Sequence, residues 1–236
     1  MLSKVEQEFP DLQNLQDVLS FSNRTSSKHA SKGFKDISAS GTKLIAFLNS
    51  DVFLNYLSCL TGIEEPLISD PYLQGGGYHQ INNGGVLKTH IDYAKHPKMG
   101  LDRRVNLLLY LNKDWETSWG GSLCLFDKEN LIKPAVKVSP IFNRCVIFST
   151  TSFSYHGHPG LVKCPAGITR RSLALYYFSN GRPSEEVSDQ SKQDPTQTFW
   201  IDDKGKSISN TLFRRVIVKL LPPLVLDIVR KIRQAR

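Results

Sequence analysis

His90-Ile91-Asp92 places an imidazole and a carboxylate two residues apart, separated by an apolar residue. In an extended strand that spacing puts both ligand types on one face, because side chains alternate with period two. A third ligand must come from elsewhere, and His156, within Ser154-Tyr155-His156-Gly157-His158-Pro159, is the best placed. Two neutral imidazoles and one carboxylate make the facial triad that suits non-haem Fe(II). Such a triad leaves three coordination positions open for a bidentate cosubstrate and dioxygen. The three-residue pattern is weak alone, and His158 is a rival for His156. The flanking sequence therefore has to carry the assignment.

Two further residues complete a chemistry. On a strand over Arg104 to Leu111, Tyr110 shares parity with Leu108 and Asn106, so one face carries a phenol and an amide. On a late strand, Arg170, Ser172, Ala174 and Tyr176 share a face, with Arg171, Leu173, Leu175 and Tyr177 on the other. A buried arginine needs an anion. The dicarboxylate 2-oxoglutarate supplies one: its distal carboxylate suits the fork of Arg170, assisted by the Tyr110 hydroxyl, while its 2-oxo-acid end chelates iron.

The elements that must hold these residues read as a β-sandwich. After Pro66 the chain runs in short apolar stretches divided by Gly, Pro and Asn. Candidate strands are Tyr72 to Ile81, Gly85 to Asp92, Arg104 to Leu111, Ser122 to Phe126, Ala135 to Val138, Cys145 to Phe148, His156 to Val162 and Arg170 to Ser179. Eight such strands predict a mainly β fold, a double-stranded β-helix or jelly roll, with flanking N-terminal helices and a C-terminal helical tail. Upstream, Lys4 to Ser20 has helix-compatible spacing interrupted by Pro10, residues 20–40 read as a polar loop, and Thr42 to Leu60 reads as one amphipathic helix. In that helix Phe53, Tyr56, Leu57 and Leu60 form the apolar face. The expected organisation is a helical support region with a linker over 1–65, the jelly-roll domain over 66–184, and a polar linker with a basic amphipathic tail over 185–236.

Composition bounds the function. With 236 residues, 40% of them hydrophobic, the chain supports one sizeable core and not two. The net charge of +8 suggests nucleic acid at first sight. Its distribution argues otherwise: residues 211–236 carry seven basic residues against Asp227 alone, so six of the eight charges sit in the tail. The tail is read as a helix covering the sandwich, with peripheral membrane contact as the alternative. No stretch reaches the roughly 18 unbroken apolar residues of a spanning helix. No secretory signal is visible, and the four cysteines are scattered, so a cytoplasmic location with reduced thiols is expected.

The order of these blocks resembles the prolyl 4-hydroxylase-like branch of the Fe(II)/2-oxoglutarate-dependent oxygenases over residues 77–183. The carriers are His90-Ile91-Asp92, Tyr110-Leu111-Asn112-Lys113-Asp114-Trp115, Gly120-Gly121-Ser122-Leu123, Phe142-Asn143-Arg144, and the run from Arg170 to Phe178. The resemblance implies that His90, Asp92 and His156 bind iron, that Arg170 and Tyr110 hold the distal carboxylate of 2-oxoglutarate, and that Tyr78 faces the cosubstrate. The interval from His156 to Arg170 is longer than the family's usual spacing, which leaves Lys163 as a minor rival for the carboxylate. Arg103 and Arg104 follow a stretch that in this family lies near the substrate entrance. His79 and His96 read as solvated polar residues, and Asn112 to Trp115 as a turn with an aromatic plug.

The expected activity is a dioxygenase that hydroxylates an unactivated C–H bond, with release of succinate and carbon dioxide and with ascorbate as reductant. A prolyl residue in a peptide or protein is the leading substrate. A free amino acid or small metabolite is the alternative, since one sheet hosts many substrates by loop variation. A metal-binding jelly roll without turnover predicts loss of Arg170 or Tyr110, and both are present. A nucleobase demethylase predicts a further arginine soon after the cosubstrate arginine, and beyond Arg171 only Arg182 precedes the tail.

Overall fold

The computed structural model describes residues 1–22 and 27–208. Two antiparallel sheets face each other. The larger runs in the order β1 (Leu19–Ser22), β2 (Ser27–Ala30), β4 (Gly77–Ile81), β11 (Arg170–Ser179), β6 (Asp102–Tyr110), β9 (Cys145–Ser149), with the short β3 (Ile68–Ser69) against β11. The smaller runs β12 (Phe199–Trp200), β5 (Leu87–Ile91), β10 (Tyr155–His158), β7 (Leu123–Phe126), β8 (Val136–Val138). This is the jelly roll, and all eight candidate strands are in it, several of them shortened: Tyr72 to Gly76 lie outside β4, β5 spans only Leu87–Ile91, and the chain leaves β10 after His158.

Parity explains which face of the large sheet does what. The register Leu173↔Leu109 and Leu175↔Leu107 stacks apolar side chains on one face. There they meet Leu44, Ile45 and Leu48 of α2 (Ala39–Leu48) and Leu57 of α3 (Asp51–Thr61) in the main core. Each such side chain, fully withdrawn from water, contributes about 1.5–3 kcal/mol. The other face, through Ser172↔Tyr110 and Tyr176↔Asn106, carries the polar groups and looks toward the smaller sheet. The large sheet thus holds the main core on one side and Arg170, Tyr110 and Asn106 on the other.

The structure corrects four expectations. The single helix over Thr42 to Leu60 is two helices bent by 55°. Ser50 causes the break: its hydroxyl accepts from Phe53 N and donates to Phe47 O, so it caps the second helix instead of continuing the first. The bend leaves Leu57 buried but Tyr56 and Leu60 exposed, so the expected apolar face is not the packed one. The N-terminal segment forms only α1 (Leu2–Gln7) and a 3-10 turn at Leu12–Asn14, because Pro10 ends the helix.

Within residues 20–40, read as a loop, β1 and β2 pair antiparallel, and β2 joins β4 through His29↔Gln80 and Ala30↔His79. Their polar composition hides an edge strand that backbone pairing holds. Finally, the segment after 184, read as a polar linker, includes α4 (Asp189–Gln193) and sends β12 back to pair with β5. The basic tail, from residue 209 onward, lies outside the described residues. Among the described residues no single helix is long and apolar enough to cross a membrane.

Candidate active site

His90 and His156 are directly opposed on β5 and β10, their ring centroids 4.4 Å apart. Asp92 follows β5 by one residue. Its Oδ1 lies 3.6 Å from His90 Nε2 and its Oδ2 3.3 Å from His156 Nε2. Ligand atoms of the three residues fall within 4.8 Å of one another. The backbone fixes both rings: His90 Nδ1 donates to Lys88 O at 2.8 Å and His156 Nδ1 to Ser154 O at 2.9 Å. With the proton on Nδ1, each Nε2 presents a lone pair to the same point as the carboxylate. Three acceptors converging on one point fit a cation, and two imidazoles with one carboxylate fit Fe(II).

Asp92 is held from the opposite sheet. Arg103 NH2 pairs with its Oδ2 at 2.9 Å, and Asn106 Nδ2 donates to the same oxygen at 2.8 Å. Arg103 in turn donates from Nε to Asn106 Oδ1 at 2.9 Å, and its guanidinium lies 3.5 Å from the Tyr176 ring centroid and 4.6 Å from that of Tyr93. Burial raises the Asp92 pKa, but Arg103 and then the two imidazoles overcome it, holding the carboxyl well below the usual range. Burial, and next the neighbouring His156, lower the pKa of His90. Asp92 and His90 are therefore in the forms a metal requires.

Arg170 opens β11 on the inward face and is 5% exposed. Its Nε donates to Gly121 O at 2.7 Å and its NH2 to the Tyr110 hydroxyl at 3.3 Å. Among the described residues no carboxylate pairs with it. A buried guanidinium lacking a counter-ion fits a carboxylate-bearing cosubstrate. Gly121 makes room for it, since a Cβ there would come within 2.9 Å of Arg170 Cδ. Lys163 is exposed, which removes it as the carboxylate holder.

Tyr78 requires a correction. The pairings Arg170↔Ile81 and Ser172↔His79 put odd-numbered β4 residues on the site face, and Leu173↔Tyr78 puts Tyr78 on the core face. Its hydroxyl meets Ser38 Oγ at 2.9 Å and its ring packs 4.4 Å from Phe9. It therefore supports α2 and does not face the cosubstrate. His79 takes the inward position: it is buried, not solvated, and its Nε2 meets Gly75 O at 2.9 Å. His96 is buried too, its Nδ1 accepting from Lys98 N and Met99 N, which leaves the Nε2 proton facing Asp70 Oδ1 at 3.2 Å. Arg104, opposite in parity to Arg103, turns away to Glu65 at 2.7 Å.

Beside the metal donors opens a cavity of about 940 Å³. Phe21, Tyr93, Tyr176 and Trp200 supply aromatic walls, and Lys28 and Arg103 supply charge. Trp200 pairs with His90 across β12 and β5, its ring 4.7 Å from the imidazole. Nothing in the sequence marked Trp200, because a two-residue strand after a polar stretch has no periodicity. Asn106 was visible as sharing the Tyr110 face, but its bond to Asp92 requires knowing how the sheets oppose each other.

A jelly roll with a facial triad and a buried cationic subsite defines a metal-dependent oxygenase. Residues 76–178 match the family model described as the 2OG-Fe(II) oxygenase superfamily. That stretch contains His90, Asp92, His156 and the Arg170–Tyr110 pair, so the part of the chain that matches the family model is the part that builds the site. In fold the chain is similar to a Trichoplax adhaerens prolyl hydroxylase solved with a hypoxia inducible factor oxygen degradation domain peptide fragment. The two are 24% identical, with a TM-score of 0.53, covering 75% of this chain and 78% of that one. A Pseudomonas putida prolyl-4-hydroxylase is 17% identical with a TM-score of 0.52, over 75% and 86% of the two chains. A Burkholderia pseudomallei oxidoreductase of the 2OG-Fe(II) oxygenase family is 12% identical with a TM-score of 0.53, over 78% and 81%. No curated protein sequence matches the chain.

Proposed function

We propose that this chain hydroxylates a prolyl residue in a peptide or protein. His90, Asp92 and His156 would hold Fe(II), and Arg170 with Tyr110 the distal carboxylate of 2-oxoglutarate. When bound, iron, 2-oxoglutarate and dioxygen supply the oxidising chemistry, with succinate and carbon dioxide as co-products. The chain supplies the rest. Asn106 and Arg103 fix one oxygen of Asp92 and leave the other free for the metal. Arg170 would pair with the distal carboxylate of the cosubstrate.

The observation that carries the reading is that two of the three donors, His90 and Asp92, line a large cavity to which four aromatic side chains also contribute. Its volume lies within the range of small-molecule and peptide-side-chain sites, and Trp200, Tyr93 and Tyr176 offer faces on which a pyrrolidine ring packs. The solved prolyl hydroxylases of like fold support the same substrate class.

A free amino acid or small metabolite is the second reading, and one observation favours it. Lys28 lines the cavity without a close ion pair among the described residues, and burial, opposed by the Asp92 charge, brings its pKa down to about 8. It could receive a free carboxylate. One experiment separates the two: succinate release by the purified chain with Fe(II), 2-oxoglutarate and ascorbate, with and without proline-containing peptides. Release that rises with peptides, together with a gain of one oxygen on proline, supports the first reading. Release that responds only to free amino acids supports the second.

A further inference from the structure

His158 lies two residues beyond His156 on β10 and is 2% exposed, yet neither ring nitrogen has a hydrogen-bond partner. The Gly160 backbone is near enough to act on the ring but is not at hydrogen-bonding geometry. Leaving a buried imidazole unsatisfied costs about 1–3 kcal/mol. Natural structures keep few such groups, and each asks for an explanation in strain, in catalysis, or in a bound water or ion.

The strand registers locate the ring. β10 runs along β7 from Tyr155↔Phe126 through His156↔Leu125 to Gly157↔Cys124, so His158 lies one step further toward Gly121. The Gly121 carbonyl is the one that holds Arg170 Nε. Against β5 the pairing shifts between His156↔His90 and His158↔Leu87, a bulge permitted by Gly157, where a Cβ would come within 2.7 Å of Lys88 O. After burial, Arg170 is the largest influence on the ring, ahead of Lys28 and His90. His158 is thus the neighbour of the cationic subsite and not a fourth metal donor: the converging set is His90, Asp92 and His156.

We propose that His158 is a third binding residue for the distal carboxylate of 2-oxoglutarate, donating a ring N–H to it beside Arg170 and Tyr110. An imidazole has at least one N–H in either charge state, so the contact does not depend on titration. The inference rests on the oxygenase reading of Arg170.

The test is calorimetric and needs no turnover: the full chain loaded with Mn(II), without oxygen, titrated with 2-oxoglutarate and with 2-oxopentanoate, which has a methyl group in place of the distal carboxylate. His158→Leu should weaken 2-oxoglutarate about tenfold and leave 2-oxopentanoate and Mn(II) unchanged. His158→Asn, which keeps an N–H donor, should recover part of the loss, and it serves as the probe if the leucine variant does not fold. Unchanged 2-oxoglutarate affinity in both variants, with Arg170→Leu still weakened, would overturn the inference while sparing the function. Equal weakening of both ligands would assign His158 to packing and overturn it too. Absence of 2-oxoglutarate binding by the unsubstituted chain would remove the underlying reading and this inference together.

Discussion

Asn106 donates to Asp92 Oδ2 across 2.8 Å, reaching from β6 in one sheet to the residue after β5 in the other. The bond ties the two sheets together at the metal position and commits one carboxylate oxygen to the protein. Arg103 shares that oxygen at 2.9 Å. Asn106→Ala should therefore weaken metal binding about tenfold with little loss of fold, as outer partners of ligands usually do. Competition between Mn(II) and a fluorescent chelator measures it, and an unchanged affinity would mean that Arg103 suffices alone.

Removing a donor should do more. Alanine at His90, Asp92 or His156 leaves two ligands and should abolish stoichiometric Mn(II) binding and all succinate release. Retention of one equivalent of metal by any of the three variants would exclude that residue from the donor set.

The cationic subsite should depend on shape as well as charge. Arg170→Leu is expected to raise the 2-oxoglutarate Kd about a hundredfold, and Tyr110→Phe about fivefold, since the second loses a hydrogen bond and no charge. Gly121→Ala should fall between them, because its methyl group would sit 2.9 Å from Arg170 Cδ and its positive φ of 68° suits glycine. Titration of each variant with 2-oxoglutarate gives the order.

Tyr78→Phe separates the core role from a cosubstrate role. It should cost about 1 kcal/mol of stability in urea unfolding, for the lost bond to Ser38, and leave the 2-oxoglutarate affinity unchanged.

His79 gives the acid side of the stability profile. Burial first, and then Lys28, Arg170 and Arg103, hold its pKa well below 6.5, with the Gly75 carbonyl opposing. A depressed histidine pKa means that the unfolded chain takes up a proton before the folded one does. Stability is therefore fully present above the unfolded pKa of about 6.5 and falls with pH beneath it, by about 1.4 kcal/mol per pH unit for this one group. His79→Gln should lose less stability than the unsubstituted chain between pH 6.5 and 5.5, and parallel urea curves for the two proteins would remove His79 as the cause.

The sequence disclosed what alternation can encode. His90 and Asp92 two residues apart, and Arg170 in phase with Ser172 and Tyr176, were readable because a strand has only two faces. Which face looks inward was not readable, and Tyr78 shows the cost: it shares its strand with His79 but lies on the other side, a choice set by pairing with β11 and not by any local signal. The break at Ser50 had a local signal, a capping residue inside an otherwise continuous apolar pattern. Phe199 and Trp200 had none, since two residues cannot show a period.

The pairing of β12 with β5 gives the metal-bearing strand a neighbour on each side, Trp200 beside His90 and His156 opposite. A version trimmed after residue 184 would keep all three donors and the whole stretch matched by the family model. It would also turn β5 into the rim of its sheet, with the backbone of Thr89, which now receives Ile201 N at 2.8 Å, open to any passing chain. Such an edge recruits other strands. The shortened protein is thus expected to self-associate through the strand that carries its chemistry, which makes the segment after the jelly roll a guard against aggregation as well as a wall of the cavity.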